Sequence, residues 1–318
     1  MNSMSIVAYL LALLFLFYLL GRSADVVVKK VRSISEHLGI RLFLLGLLMG
    51  LFTSLPEISI GVNSLIDDVP DLSLGNLMGG FMVLFGLIMG VSLILNKRIH
   101  TDGNLLHYAP ILLYFFLPFL FVLDGSIQRH ESLVLIGAYL GLVLFLYRVY
   151  QGELPHGVHD RAVLPPRVAR DIFTIILGLV VITLLSNGIV QITEGLLVEA
   201  HVSQFLTGVL LFSIGTNLPE IIVAFRAWRG HMKELTLAHL SGSAMTDPLL
   251  IGIFSFIQPY TIHVNGAYWV FFFYNLVLFV LVGIFYKTGR ALSRNEGIVL
   301  LGLYLLFLFA EIRFGLTF

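Results

Sequence analysis

Two glutamates within long apolar runs, Glu57 and Glu220, are the residues of this sequence best suited to chemistry. Each directly follows a proline and stands four residues after a threonine, Thr53 or Thr216, a spacing that predicts both side chains on one face of a helix. A carboxylate inside a bilayer costs several kcal/mol, about +3 on insertion scales, so such an acid is a candidate functional group. The proline lacks an N–H group, which frees the backbone carbonyl four residues earlier. Carboxylate, hydroxyl and carbonyl oxygens together suit hard cations such as Ca²⁺ or Na⁺.

A third acid in an apolar run, Asp247, strengthens this interpretation. It stands four residues after Ser243, so both side chains are predicted to share one face of a helix. The alternative for Asp247 is a hydrogen bond that stabilises helix packing. His239 precedes them on the same run, and an imidazole there could exchange protons or make a structural hydrogen bond.

Apolar helices are the elements that must position these acids. Of the 318 residues, 58% are hydrophobic and 12% are charged, which is more apolar surface than a water-soluble core needs. One helical span of a bilayer takes about 20 apolar residues. We therefore predict an all-α integral membrane protein, in which only the acidic turn 67–71 separates the second span from the third. The ten predicted spans are 4–24, 39–66, 72–95, 105–123, 132–150, 169–193, 203–227, 234–257, 266–286 and 295–316.

Composition also excludes several kinds of function. The sequence contains no Cys, so disulfides, thiolate metal ligands and thiol nucleophiles are ruled out. Lys and Arg together number 19, as do Asp and Glu, so no excess of positive charge points to nucleic acid. The partners that we expect are small inorganic cations and the lipid bilayer.

The distribution of Lys and Arg predicts the orientation. Ten alternating spans place all but two of the 19 basic residues on one face of the membrane, leaving Arg129 and Arg313 on the other. By the positive-inside rule both termini lie outside the cytoplasm. The first span has neither preceding positive charge nor a following cleavage site, so it is not predicted to be a signal peptide. We expect a multi-pass protein of a prokaryotic plasma membrane.

The sequence repeats itself once. FTSLPEIS at 52–59 aligns with GTNLPEII at 215–222, an offset of 163 residues that also matches several Leu and Gly positions downstream. Each copy holds five spans, an odd number, so the second copy crosses the membrane in the opposite sense. Inverted repeats with interrupted helices are typical of secondary transporters, whose site lies near the midplane between the repeats. The predicted units are 1–150 and 169–318, joined by a cytoplasmic connection at 151–168, with the motif-bearing α-repeats at about 46–95 and 206–257.

These motifs resemble those of the calcium/cation antiporter superfamily, which includes the sodium/calcium exchangers. That family carries two inverted α-repeats, each with a G-T-S-L-P-E type motif followed by a G-N-x-x-G-S-N type motif. The corresponding segments here are 51–57 with 75–81, and 215–220 with 238–244. The resemblance implies a cation site whose ligands are Glu57, Glu220, Asp247, Thr53, Ser54, Thr216, Asn217 and Ser243.

The first repeat departs from the family pattern at two positions. Gly80 stands where the family has a serine, and Leu84 stands where an Asn or Asp is expected four residues later. Two oxygen donors are therefore missing, while the second repeat keeps Ser243 and Asp247. The inventory of bound ions is expected to differ accordingly.

We predict a cation antiporter that moves Ca²⁺, or a similar divalent cation, in exchange for Na⁺ by alternating access, without a cofactor. Two alternatives on the same fold are a proton-coupled exchanger and an ion sensor that does not transport. A third is an intramembrane hydrolase or transferase using His239, His107 or His201 with a serine, although the sequence has no G-x-S-x-G or H-E-x-x-H motif. The oligomeric state is not predicted.

Overall fold

Apolar helices form almost all of the structure, a computed structural model that describes residues 3–37, 50–149, 168–200, 203–229, 233–262, 264–288 and 290–315. Within these residues nine helices are long and apolar enough to cross a membrane, and a shorter apolar helix spans Leu55–Ile66. Helices are expected here because a backbone in lipid must satisfy its hydrogen bonds internally. The prediction of an all-α membrane fold is confirmed. The start of the predicted second span (39–49), most of the predicted connection (151–167) and His201 lie outside the described residues.

The first repeat contributes five spans. The predicted turn between the second and third spans is confirmed, because one helix ends at Ile66 and the next begins at Pro70. Asp68 in that turn adopts a φ of 58°, a left-handed conformation that Asp tolerates better than most residues. The spans are Ser3–His37, then 50–53 with Leu55–Ile66, then Pro70–Phe81 continued by the π-helical segment Met82–Ile88 and Met89–Asn96, then Leu105–Phe121, and finally Arg129–Val149.

The second repeat has the same order of spans. Its interrupted span contains a π-helical segment, Gly208–Phe212, and then breaks at Asn217. The following span continues through Pro248 without ending. The spans are Val168–Ala200, then Gln204–Thr207 with Gly208–Phe212, Ser213–Thr216 and Leu218–Arg229, then Lys233–Ile257, Gly266–Lys287 and Arg294–Gly315.

Two short antiparallel ladders, which were not predicted, join the repeats. Strand β1 (Arg98–His100) pairs with β4 (Ala291–Ser293), and β2 (Ser126–Ile127) pairs with β3 (Tyr260–Thr261). Each ladder joins a connection of one repeat to a connection of the other. The ladders therefore tie the two copies together at both ends of the helices.

Glycines allow the helices that carry the motifs to cross closely. A Cβ atom placed on Gly50 would lie 2.4 Å from the backbone of Gly242 and Ser243. At the equivalent crossing in the other half, a Cβ atom on Gly79 would lie 2.8 Å from the backbone of Val209. Each interrupted span thus crosses the next span of the opposite repeat. We call these two crossed helices, Pro70–Phe81 and Lys233–Ile257, the motif helices.

Candidate functional site

The two interrupted spans break at equivalent residues with nearly the same geometry. Ser54 has φ −78° and ψ 10°, and Asn217 has φ −79° and ψ 12°. A proline stands within the first two residues of the helix that follows Ser54, where its missing N–H removes no helical bond. The Gly215 carbonyl, predicted to be free, accepts a hydrogen bond from the N–H of Asn217. One of its two lone pairs is therefore already used.

Three carboxyl groups lie in the interior next to these breaks. Glu57 is 3% exposed, Glu220 is 0% exposed and Asp247 is 3% exposed. Glu57 interacts electrostatically with the other two acids. One oxygen of each glutamate, Glu57 Oε2 and Glu220 Oε2, is buried and has no hydrogen-bond partner in the described residues. Unpartnered carboxylate oxygens are costly to bury, so they call for a cation or a proton.

The predicted threonine contacts run between the repeats and not along one helix. Because each break lies between the threonine and the glutamate of its motif, the two side chains no longer share a continuous helical face. Thr216 lies against the carboxyl group of Glu57, and Thr53 lies against that of Glu220. The expectation of same-helix pairs is wrong, and the structure replaces it with two crossed pairs.

The same threonines also bind the motif helices of the opposite repeat. Thr53 Oγ1 is 3.1 Å from Nε2 of His239. Thr216 Oγ1 donates a hydrogen bond to Oδ1 of Asn76 at 3.0 Å. Since His239 and Asn76 are equivalent under the repeat offset, one interaction occurs twice with different partners. His239 therefore makes the structural hydrogen bond that was one of its two predicted roles.

Serine and asparagine side chains surround the acids. Ser243 Oγ donates to Glu220 Oε1 at 2.9 Å and lies 3.4 Å from Ser54 Oγ. The Asn217 amide group donates from Nδ2 to the carbonyl of Ser213 at 2.8 Å, so its Oδ1 is the atom with lone pairs to offer an ion. The structure thus brings together all eight predicted ligands, every one of them buried.

Gly80 lies against the acid of the second repeat. A Cβ atom placed there would be 3.0 Å from Asp247 Oδ2 and 3.6 Å from Asn217 Nδ2. A serine at this position would therefore point at Asp247. The hydroxyl group that the first repeat lacks would thus have been part of the ion site. Leu84, the counterpart of Asp247, is fully buried within the π-helical segment Met82–Ile88.

Carboxylates alone do not form a metal-binding cluster in this arrangement. Among the described residues, no three His, Cys, Asp or Glu side chains converge closely enough to hold an ion. Ca²⁺ takes six to eight oxygen ligands in proteins. An ion bound here would need the hydroxyl and amide oxygens of Ser54, Asn217 and Ser243 in addition to the acids.

Tyr108 makes a contact with the eighth span that sequence reasoning missed. Its hydroxyl is 2.9 Å from Oγ of Ser241, two residues before Ser243. Its ring stacks on that of Tyr286, with 4.1 Å between the centroids. No sequence signal marks Tyr108, because its contact depends on how the fourth span packs against the eighth. His107, one of the predicted hydrolytic histidines, instead pairs with Asp102, with 3.0 Å between Nδ1 and Oδ2.

Comparisons with known proteins agree with this geometry. The sodium/calcium exchanger MaX1 of Methanosarcina acetivorans is 25% identical over 347 aligned positions, covering 95% of this chain and 97% of that protein. A solved sodium-calcium exchanger, NCX_Mj soaked with Na⁺ and Sr²⁺, superposes with a TM-score of 0.66 at 23% identity and covers 98% of both chains. The H⁺/Ca²⁺ exchanger CAX superposes with a TM-score of 0.69 at 16% identity, over 98% of this chain and 84% of that one.

The family is shown by a model described as sodium/calcium exchanger protein, which matches residues 8–148 and 171–313. The matched residues include both interrupted spans and both motif helices. The chain therefore belongs to the sodium/calcium exchanger protein family, whose members are membrane cation transporters rather than enzymes.

Proposed function

We propose that this protein exchanges Ca²⁺ for Na⁺ across the membrane and that the ions occupy the space among Glu57, Glu220 and Asp247. The observation that carries the proposal is the pair of unpartnered oxygens, Glu57 Oε2 and Glu220 Oε2, at equivalent positions of two buried helix breaks. Two buried anionic groups of the same sign repel each other unless a cation lies between them. A divalent cation would neutralise both.

The remaining predicted ligands support a site of hard oxygen donors. Ser54, Ser243 and Asn217 add neutral oxygens, which suits Ca²⁺ and Na⁺ better than softer transition metals. Since both ions would draw on the same acids, binding of one would weaken binding of the other. Exchange then follows if the protein switches the site from one side of the membrane to the other only when an ion is bound, and not when the site is empty.

The acids can be tested by ⁴⁵Ca²⁺ uptake into proteoliposomes. Loss of a residue that merely orients a metal ligand costs about 10- to 100-fold, so Glu57→Gln and Glu220→Gln should each reduce uptake by at least that much. Glu131→Gln is the matched control, because Glu131 caps the N–H of Gln128 on the surface and should leave uptake unchanged. If both site variants transported at the wild-type rate, the proposed site would be wrong.

The counter-ion is tested in the same vesicles. An outward Na⁺ gradient should drive Ca²⁺ uptake, whereas a pH gradient alone should not. Gly80 and Leu84 provide no oxygen ligand where the family has one. If those oxygens bind Na⁺ in the family, their loss favours the proton-coupled alternative. Uptake driven by the pH gradient would establish proton coupling. Saturable Ca²⁺ binding without uptake under either gradient would instead indicate a sensor.

We also propose that both termini face the extracytoplasmic side of a prokaryotic plasma membrane, as the distribution of Lys and Arg indicates. The sequence lacks cysteine, so single cysteines can report accessibility without further changes. His100→Cys and His130→Cys alter exposed histidines at opposite ends of the helices. In intact cells a membrane-impermeant maleimide should label position 130 and not position 100. The reverse pattern would overturn the orientation.

A further inference from the structure

A groove on the outer surface of the bundle runs between the fourth and ninth spans. Its volume is about 830 Å³, and nearly all the side chains that line it are apolar. Leu113, Val280 and Ile284 in its walls are among the exposed large hydrophobic residues. None of the three buried acids of the site lines this groove. In a membrane protein such a surface faces lipid.

The length of the groove matches one leaflet of a bilayer. Along the fourth span it extends from Leu105 to Phe116, which at 1.5 Å per residue is about 16 Å. The hydrocarbon core of a bilayer is about 30 Å thick, so one leaflet contributes about 15 Å. Gly283 forms part of the groove wall, and its missing side chain widens the space there. The groove therefore has room for an acyl chain that enters from one membrane surface.

Polar residues line the groove only at the end where the fourth span begins. Lys287 and Thr288 lie there, and both are exposed. Lys287 makes no ion pair within the part of the chain that the structure describes. The exposed Arg98 and Arg294 lie at the same end of the helices, in and beside ladder β1–β4. Lys287 is the basic residue of the groove itself.

The two acids near this end of the groove are already engaged. Asp102 accepts hydrogen bonds from the Tyr286 hydroxyl at 2.7 Å and from the N–H of Asn104 at 2.9 Å. Although partial burial raises the pKa of the Asp102 carboxyl, hydrogen bonds from Tyr286, Asn104 and His107 outweigh it and leave the pKa below its ordinary value. Glu296 accepts hydrogen bonds from the N–H of Ser293 and, at 3.4 Å, from the Thr288 hydroxyl. Neither acid forms an ion pair with Lys287 in the described residues.

We propose that this groove binds one acyl chain of an anionic phospholipid, whose phosphate group lies against Lys287. Charge complementarity selects the head group, and the length of the groove selects a chain from the leaflet on the basic side of the protein. Basic residues beside grooves between transmembrane helices are a known basis for recognition of anionic lipids. The inference concerns a lipid site and does not rest on which counter-ion is exchanged.

Native mass spectrometry of the detergent-purified protein tests the proposal, with palmitoyl-oleoyl phosphatidylglycerol and the matching phosphatidylcholine as probes. The wild type should bind phosphatidylglycerol more tightly than phosphatidylcholine. One basic residue near an anionic lipid contributes about 1 kcal/mol, so Lys287→Ala should weaken binding of phosphatidylglycerol about fivefold and leave phosphatidylcholine unaffected. Arg148→Ala, an exposed basic residue outside the groove, is the matched control and should change neither.

A second pair of variants tests the groove itself. Gly283→Leu would fill it, since a Cβ atom there already lies 3.1 Å from Leu112 Cδ1, and should weaken binding of both lipids. Gly137→Leu adds the same side chain on the fifth span, where a Cβ atom meets nothing within 4 Å, and should weaken neither. Unchanged melting temperatures would show that the variants are folded.

Three results would overturn the proposal. Equal affinity of the wild type for the two lipids would remove the head-group contact. An effect of Arg148→Ala as large as that of Lys287→Ala would indicate general electrostatic attraction. Displacement of phosphatidylglycerol by millimolar glycerol phosphate alone would indicate a phosphate site without a lipid groove.

Discussion

The two repeats of this protein share a backbone and differ in their side chains. Both break at equivalent residues, Ser54 and Asn217, with dihedral angles that agree within a few degrees. Both place a threonine against the glutamate of the other repeat. The span that comes after each interrupted span differs: the second repeat has Ser243 there, and the first has Gly80.

This difference teaches that the symmetry of the fold does not extend to charge. Of the three buried acids next to the helix breaks, Glu220 and Asp247 belong to the second repeat and only Glu57 belongs to the first. Gly80 lies against Asp247, so the gap in one repeat is occupied by the acid of the other. We infer that the first repeat mainly frames the site and that the second provides most of its charge.

The largest expected effect comes from making the second repeat resemble the first. Asp247→Leu introduces the residue found at the equivalent position, Leu84, and removes one buried carboxylate. We expect ⁴⁵Ca²⁺ uptake to fall by at least about 100-fold, beyond the range for partners that only orient a ligand. Leu142→Ile, a conservative change on the fifth span, should leave uptake near wild type. Normal uptake by Asp247→Leu would show that the acid is structural.

A smaller effect is expected at the crossed threonine contacts. His239→Ala and Asn76→Ala each remove one buried hydrogen bond of a threonine hydroxyl, at a cost of about 1 kcal/mol. Both should lower the melting temperature by similar amounts, whereas His239→Asn should restore most of the loss. Fluorescence-detected thermal unfolding measures this. If only one alanine variant were destabilised, the two contacts would not be equivalent.

Gly80 offers a way to sharpen the comparison. Gly80→Ala places a methyl group about as close as Cβ atoms come, 3.0 Å from Asp247 Oδ2, and should weaken Ca²⁺ uptake. Gly80→Ser adds the hydroxyl that the second repeat has and can hydrogen-bond to Asp247. A hydrogen bond to a charged group contributes about 1.5 to 3 kcal/mol. The apparent affinity of the serine variant for Ca²⁺ should therefore exceed that of the alanine variant by roughly tenfold or more. Equal apparent affinities would mean that the hydroxyl does not reach the site.

The smallest effect should be the same in both repeats. Asn104 and Asn265 cap the fourth and ninth spans, accepting hydrogen bonds from the N–H groups of Leu106 at 3.1 Å and Tyr268 at 3.0 Å. Replacing either by Ala should cost about 1 kcal/mol of stability, with transport unchanged. Matched losses in thermal unfolding would show that the scaffold is symmetric where the site is not. A loss of transport in one variant alone would contradict that.

The spans and the repeat were predictable because they depend on local sequence. Runs of apolar residues long enough to cross a bilayer predict helices, and the acidic turn 67–71 was placed correctly because charged residues with a proline rarely lie in lipid. The Pro-Glu dipeptides marked the helix breaks because a proline lacks the N–H group that a continuous helix needs. The domain boundaries at 150 and 169 stay a prediction, since the connection lies outside the described residues.

Contacts between the repeats were not predictable in the same way. The i,i+4 spacing suggested that Thr53 would accompany Glu57, but a single break at Ser54 changed the partner to Glu220. Tyr108 and the two β ladders were missed because nothing in their own segments identifies a partner in the other half of the chain. That the eight predicted ligands bind a cation also stays a prediction.

The sequence by itself determined which residues could bind a cation, that they repeat, and that the repeats are inverted, because hydrophobic length and residue type act locally. Only the tertiary structure decided which oxygens face one another. Contacts between residues more than a hundred positions apart in the sequence depend on how the helices cross, and the glycines at 50 and 242 set that crossing. The asymmetric charge of the site was legible from the sequence, whereas the position of Gly80 beside Asp247 followed from packing alone.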